Sequence, residues 1–127
     1  MPEQIVKKTG IARIIAACRY SIDGLVATFK NEAAFRQELF LFALQLPVLF
    51  FLPTTPFMKA LLLCANTLVL IVELLNSAIE AIVNLASPEY HNLAKHAKDM
   101  GSAAVMISII LTLCLWGYAI LTIFRAN

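Results

Sequence analysis

Charge is what this sequence has least of. Only 14% of its 127 residues are Asp, Glu, Lys or Arg, while 61% are hydrophobic; soluble domains usually carry about a quarter charged residues. The shortage excludes an ordinary soluble domain and makes an integral membrane protein the default. The net charge of +2 is too small, and its cations too scattered, for a nucleic-acid partner. Neither G-x-x-x-x-G-K-[ST] nor G-x-G-x-x-G occurs, so no standard motif announces a nucleotide. Cys18, Cys64 and Cys114 stand singly in apolar settings without C-x-x-C spacing, which favours buried packing over metal or redox chemistry. The polar, basic start has no apolar core of a cleavable signal, and no internal repeat is present.

Long apolar runs are abundant. Residues 101–124 carry no formal charge and exceed the roughly 20 residues that a helix needs to cross about 30 Å of hydrocarbon. Residues 57–86 form a second such run, and residues 33–52 a third, with Pro53 and Pro56 marking a tight connection between them. Upstream, Ile11, Ile14, Ile15, Cys18, Ile22, Leu25, Val26 and Phe29 recur at helical spacing, with Arg13, Asp23 and Lys30 elsewhere on the wheel. That pattern predicts an amphipathic helix over about residues 10–30, lying in the membrane interface or packed on partner helices. The fold class is thus all-α: a surface helix followed by three transmembrane helices in one domain.

Basic residues orient it. Lys7, Lys8, Arg13, Arg19, Lys30 and Arg36 precede or open the first span, Lys59 lies in the first connection, and Lys95 and Lys98 lie in the second. The bias places the N-terminus and the second connection in the cytoplasm.

Against this background, "IVELLNSAIEAIVN" (residues 71–84) is anomalous. Glu73, Asn76, Ser77, Glu80 and Asn84 fall on one helical face, with Asn66 on the same stripe one layer deeper. An ionised carboxylate in such a run is costly unless it is paired or coordinates a metal. With Lys59 at the outer edge, Glu80 comes near the inner edge and Glu73 about 10 Å deeper. Glu32, Arg36 and Glu38 enter the first span at the depth of Glu80, and Lys98 and Asp99 enter the third. Each has a structural reading: Lys98 snorkels, Asp99 caps the third span, and Arg36 with Glu38 anchors the interface. Jointly, carboxylates and amides at one depth suit a hard divalent cation such as Mg²⁺, which bridges to phosphate. A carboxylate in a drier layer can also serve as a general base toward a hydroxyl. The residues alone leave ion or proton transport equally open.

"RIIAACRYSIDGL", "NEAAFRQE", "VELLNSAIEAIV" and "EYHNLAKHAKDMGSAAV", in this order and spacing, resemble the bacterial integral-membrane diacylglycerol kinase family. The resemblance runs from about Gly10 into the third span, with the interior of the first span and the extreme ends matching loosely. It implies an inner-membrane homotrimer with sites between subunits, moving the γ-phosphate of MgATP to the hydroxyl of diacylglycerol to give phosphatidic acid. Glu73 matches the general base, Asn76 an essential polar residue, and Glu32 and Glu80 the acids holding the metal on the nucleotide. Glu38 belongs to the same motif. Arg13, Tyr20, Glu89, Tyr90, His91, Lys98 and Asp99 match nucleotide-contacting positions, and Arg13, Glu73 and Ser102 lipid-substrate positions; helix capping is the alternative for Ser102. Asn84 stands where Asp is expected, and His96 where many Gram-negative relatives have Arg, which bears on nucleotide affinity. A related branch phosphorylates undecaprenol; "EYHNLAKHAKDMGSAAV" is closer to the diacylglycerol branch.

Overall fold

A computed structural model describes residues 9–126; Lys7 and Lys8 of the orientation argument lie outside them. Four helices follow in order: α1 (Gly10–Asn31), α2 (Ala33–Phe51), α3 (Pro56–Ala86) and α4 (Asn92–Ala126). The chain divides into two units, the first ending at Asn31 and the second beginning at Glu32. Taken by itself, α1 starts at Gly10, whose φ of +63° suits a residue without Cβ, and buries none of its side chains.

In the second unit α3 is central, packing mainly on α4 and also on α2. Each of the three helices is long and apolar enough to cross a membrane. Thr55 ends the first connection as the N-cap of α3, its hydroxyl accepting from the Met58 amide at 3.2 Å, and Pro56 follows at a position where no amide is needed. Lys59 Nζ donates to the Phe50 carbonyl at 2.7 Å, tying the ends of α2 and α3 together. Pro47 sits within α2 without ending it.

A small apolar core of Leu49, Leu62 and Ala119 lies at this end, with Trp116 packed against it. Buried polar side chains continue beyond it along α3 and α4: Asn66, Glu73, Ser77, Ser108 and Thr112. Small and hydroxyl-bearing residues let the two helices approach closely. Thr112 Oγ1 donates to the Ser108 carbonyl at 2.9 Å and lies 3.2 Å from the Ala65 carbonyl on the facing helix. Trp116 Nε1 donates to Asn66 Oδ1 at 3.0 Å.

Two expectations need correction. The cysteines are free but exposed rather than buried: hydropathy does not separate a side chain facing lipid or another subunit from one packed within its own chain. The third apolar run begins at Gly101, but its helix starts at Asn92. The polar segment before the run is therefore helical, with His91 Nδ1 accepting from the Leu93 amide at 3.2 Å near the start. Asp99 lies inside α4, where it pairs with Lys95, so it caps nothing. The capping alternative for Ser102 falls for the same reason.

Candidate functional site

The polar stripe of α3 is a real buried feature. Helical spacing puts Glu73, Asn76, Ser77 and Glu80 on adjoining turns, and Glu73 is only 5% exposed. Asn76 Nδ2 donates to Glu80 Oε1 at 3.2 Å, linking the stripe one turn on. Carboxylates from the start of α2 act on the same place as one from α3 itself: Glu38, then Glu80, then Glu32 act electrostatically on Glu73. Glu32 is the N-cap residue of α2, yet its side chain makes no capping hydrogen bond. Half-buried Glu32, Glu38 and Glu80 are thus near enough to act on a buried fourth acid. Like charges at this density repel, so the arrangement favours a bound cation.

Gly101 holds α4 against this stripe. A Cβ at Gly101 would collide with Asn76 Oδ1, an atom that is buried and has no hydrogen-bond partner. Sequence reasoning missed Gly101. Its signal was the run of small residues "GSAA" next to "AKD", facing a polar stripe.

Beyond Glu80 the turn between α3 and α4 opens a cleft of ≈ 430 Å³. Asn84, Glu89, Tyr90, His91, Lys98 and Asp99 line it. Five of these are expected nucleotide-contacting residues, and Asn84 stands one helical turn from Glu80. Lys98 Nζ donates to Asn84 Oδ1 at 3.1 Å, so the cation is aimed into the cleft rather than merely snorkelling. Tyr90, 80% exposed, donates from its hydroxyl to Asn92 Oδ1 at 3.1 Å. Lys95, read from the sequence only as an orienting cation, lines the cleft and neutralises Asp99.

The structure therefore gathers Glu32, Glu38, Glu73, Asn76 and Glu80 as one group, and Glu89, Tyr90, His91, Lys98 and Asp99 as another. Ser102 is exposed, next to Gly101 on α4. Arg13 and Tyr20 are exposed on α1, in the separate unit.

Three apolar helices with an acidic cluster and a cation-bearing cleft define an α-helical membrane protein equipped for polar chemistry at one end of its bundle. Residues 19–120 match the family model for prokaryotic diacylglycerol kinase. Curated relatives named diacylglycerol kinase include that of Escherichia coli K12, 49% identical over 85% of this chain and 88% of its own. That of Pseudomonas aeruginosa is 44% identical over 94% of this chain and 98% of its own. That of Haemophilus influenzae is 42% identical over 87% and 94% respectively. The chain belongs to the prokaryotic diacylglycerol kinase family and is an enzyme, a lipid kinase. Membership implies a divalent metal with ATP, and group transfer displaces the ion-pathway reading. The donor set fits such a metal. Among the described residues no three His, Cys, Asp or Glu side chains enclose a metal by themselves. Cations of this class are commonly held by one or two carboxylates plus the phosphates they accompany.

Proposed function

We propose that the protein transfers the γ-phosphate of MgATP to the free hydroxyl of diacylglycerol, giving phosphatidic acid, at the cytoplasmic face of the bacterial inner membrane. The observation that carries this reading is the burial of Glu73, on which Glu38, Glu80 and Glu32 act electrostatically, about three helical turns along α3 from the cation-bearing cleft. A phosphoryl-transfer site has little covalent chemistry to perform; it positions the reactants and neutralises charge on the transferring group.

Each group has a place in that scheme. Glu73 accepts the hydroxyl proton of the lipid, reaching it from within the bilayer where a glycerol backbone lies. Glu32 and Glu80 would hold Mg²⁺, which supplies charge neutralisation on the nucleotide phosphates when bound. Asn76 steers Glu80 through its amide hydrogen bond. Lys98 offsets charge on phosphate oxygens, while Glu89, Tyr90, His91 and Asp99 form the walls around the nucleotide. The transfer is direct and in line, without a phosphoenzyme. Arg13 and Tyr20 on α1, a helix lying in the interface, contribute to the nucleotide site, Arg13 and Ser102 contact the lipid, and three copies of the chain assemble with sites shared between neighbours. Extensive apolar exposure on the single chain, including Phe50 at 75% and Phe51 at 79%, supports burial against lipid or other copies.

The test is transfer of labelled γ-phosphate from MgATP to diacylglycerol and, in parallel, to undecaprenol, by the purified protein in mixed micelles. Label in phosphatidic acid supports the reading. Label only in undecaprenyl phosphate keeps the mechanism and changes the lipid.

A further inference from the structure

A second cavity, of ≈ 130 Å³ and mainly apolar, lies deeper in the membrane layer between α2, α3 and α4. Glu38, Gln45, Asn66 and Thr112 line it, and Leu41 and Leu113, both exposed apolar side chains, form part of its wall. Asn66 is only 5% exposed, and its Nδ2 is buried without a hydrogen-bond partner, while Oδ1 is fixed by Trp116. A buried amide donor left unpaired is costly, so an acceptor is called for. Thr112 Oγ1 donates to backbone carbonyls and receives no hydrogen bond from the Asn66 amide nitrogen.

The cavity is layered. Glu38 and Gln45 are seven residues apart on α2, as are Glu73 and Asn66 on α3. At 1.5 Å per residue each pair spans about 10 Å along the bilayer normal. The two helices run in opposite directions, and Glu38 acts on Glu73. One end of the cavity is therefore acidic and level with the proposed base, and the other carries two amides and is surrounded by apolar side chains. The amide end presents the unpaired Asn66 nitrogen in a layer walled mainly by apolar side chains.

We propose that Asn66 and Gln45 form a subsite for an ester carbonyl of the lipid substrate. This rests on the lipid-kinase reading and adds a specificity determinant to it. In an extended glycerol backbone a carbonyl oxygen lies roughly 6 Å from the free hydroxyl at ordinary bond lengths. Adding a hydrogen bond of about 3 Å at each end spans the separation between the Glu73 and Asn66 levels. A carbonyl oxygen accepts and cannot donate, which matches an amide nitrogen, and exposed Leu41 and Leu113 leave the wall apolar toward the acyl chains. Trp116 fixes the amide so that its nitrogen, not its oxygen, is presented.

The test compares a diester and a chain-matched diether of glycerol as phosphate acceptors, reading the ratio of their kcat/KM values. A ratio is independent of the fraction of folded protein, so partial misfolding of a variant does not imitate the effect. The wild-type protein is expected to favour the ester by about three- to tenfold, the worth of one hydrogen bond in a dry site. In Asn66→Leu, and to a smaller extent in Gln45→Leu, the ratio falls toward one. An active wild type with no ester preference, or a preference that both variants keep, overturns the subsite. Failure of the wild type to phosphorylate either lipid overturns the diacylglycerol reading instead.

Discussion

Gly101 on α4 and Asn76 on α3 meet so closely that no side chain can stand at position 101 without displacing the Asn76 amide. Asn76 in turn donates to Glu80 at 3.2 Å. The small residue on one helix thus sets the position of an acid on another.

Gly101→Ala should therefore lower kcat by at least tenfold, and Gly101→Val should lower it further, because overpacking a close helix contact typically costs about 1–3 kcal/mol. Steady-state kinetics with denaturation in parallel separates this from unfolding. A fully active Gly101→Val would show that Asn76 need not be held.

How far the sequence reveals such features depends on their physical origin. The three spans were legible because uninterrupted apolar runs carry the signal, and Pro53 and Pro56 mark the connection before α3. The acidic stripe was legible because helical spacing alone puts Glu73, Asn76 and Glu80 together. The start of α4 was not, since "NLAKHAKD" is polar and His91 caps it through a side-chain geometry that no composition reveals. The facing of Gly101 and Asn76 depends on the relative rotation of two helices, whereas the pairing of Asp99 with Lys95 follows from where α4 starts, which puts the two one turn apart on the same helix.

Lys98 is tied to a neutral amide, Asn84. Replacing that amide with a carboxylate gives Lys98 a competing anion. Asn84→Asp should raise KM for MgATP by about two- to tenfold and make it more sensitive to salt, as expected for a partly exposed charge pair. Lys98→Met should raise it more, and titration of nucleotide binding checks both. An Asn84→Asp protein that binds MgATP more tightly would assign the pair a different role.

Trp116 and Asn66 bridge α3 and α4 within the membrane layer. Trp116→Phe removes the donor and keeps an aromatic ring, leaving Asn66 Oδ1 to find another partner. A stability loss of about 1 kcal/mol is expected in detergent-based thermal unfolding, with a much smaller effect on turnover than Gly101→Ala. No change in unfolding would mean that the amide repacks freely.

Chelation of divalent metal should abolish turnover, and Mg²⁺ should restore it. Glu80→Gln should weaken MgATP binding itself, because it removes one of two carboxylates proposed to hold the metal. Unaltered binding in Glu80→Gln together with full activity would remove Glu80 from the metal site.

The most direct test of the central claim measures labelled γ-phosphate transfer to diacylglycerol and MgATP affinity together, for the wild type and Glu73→Gln. Glu73 acting as base predicts transfer by the wild type, loss of at least a hundredfold in Glu73→Gln as for removal of a general base, and MgATP affinity preserved within about threefold. Full transfer by Glu73→Gln, or loss of transfer only in step with loss of nucleotide binding, would contradict it.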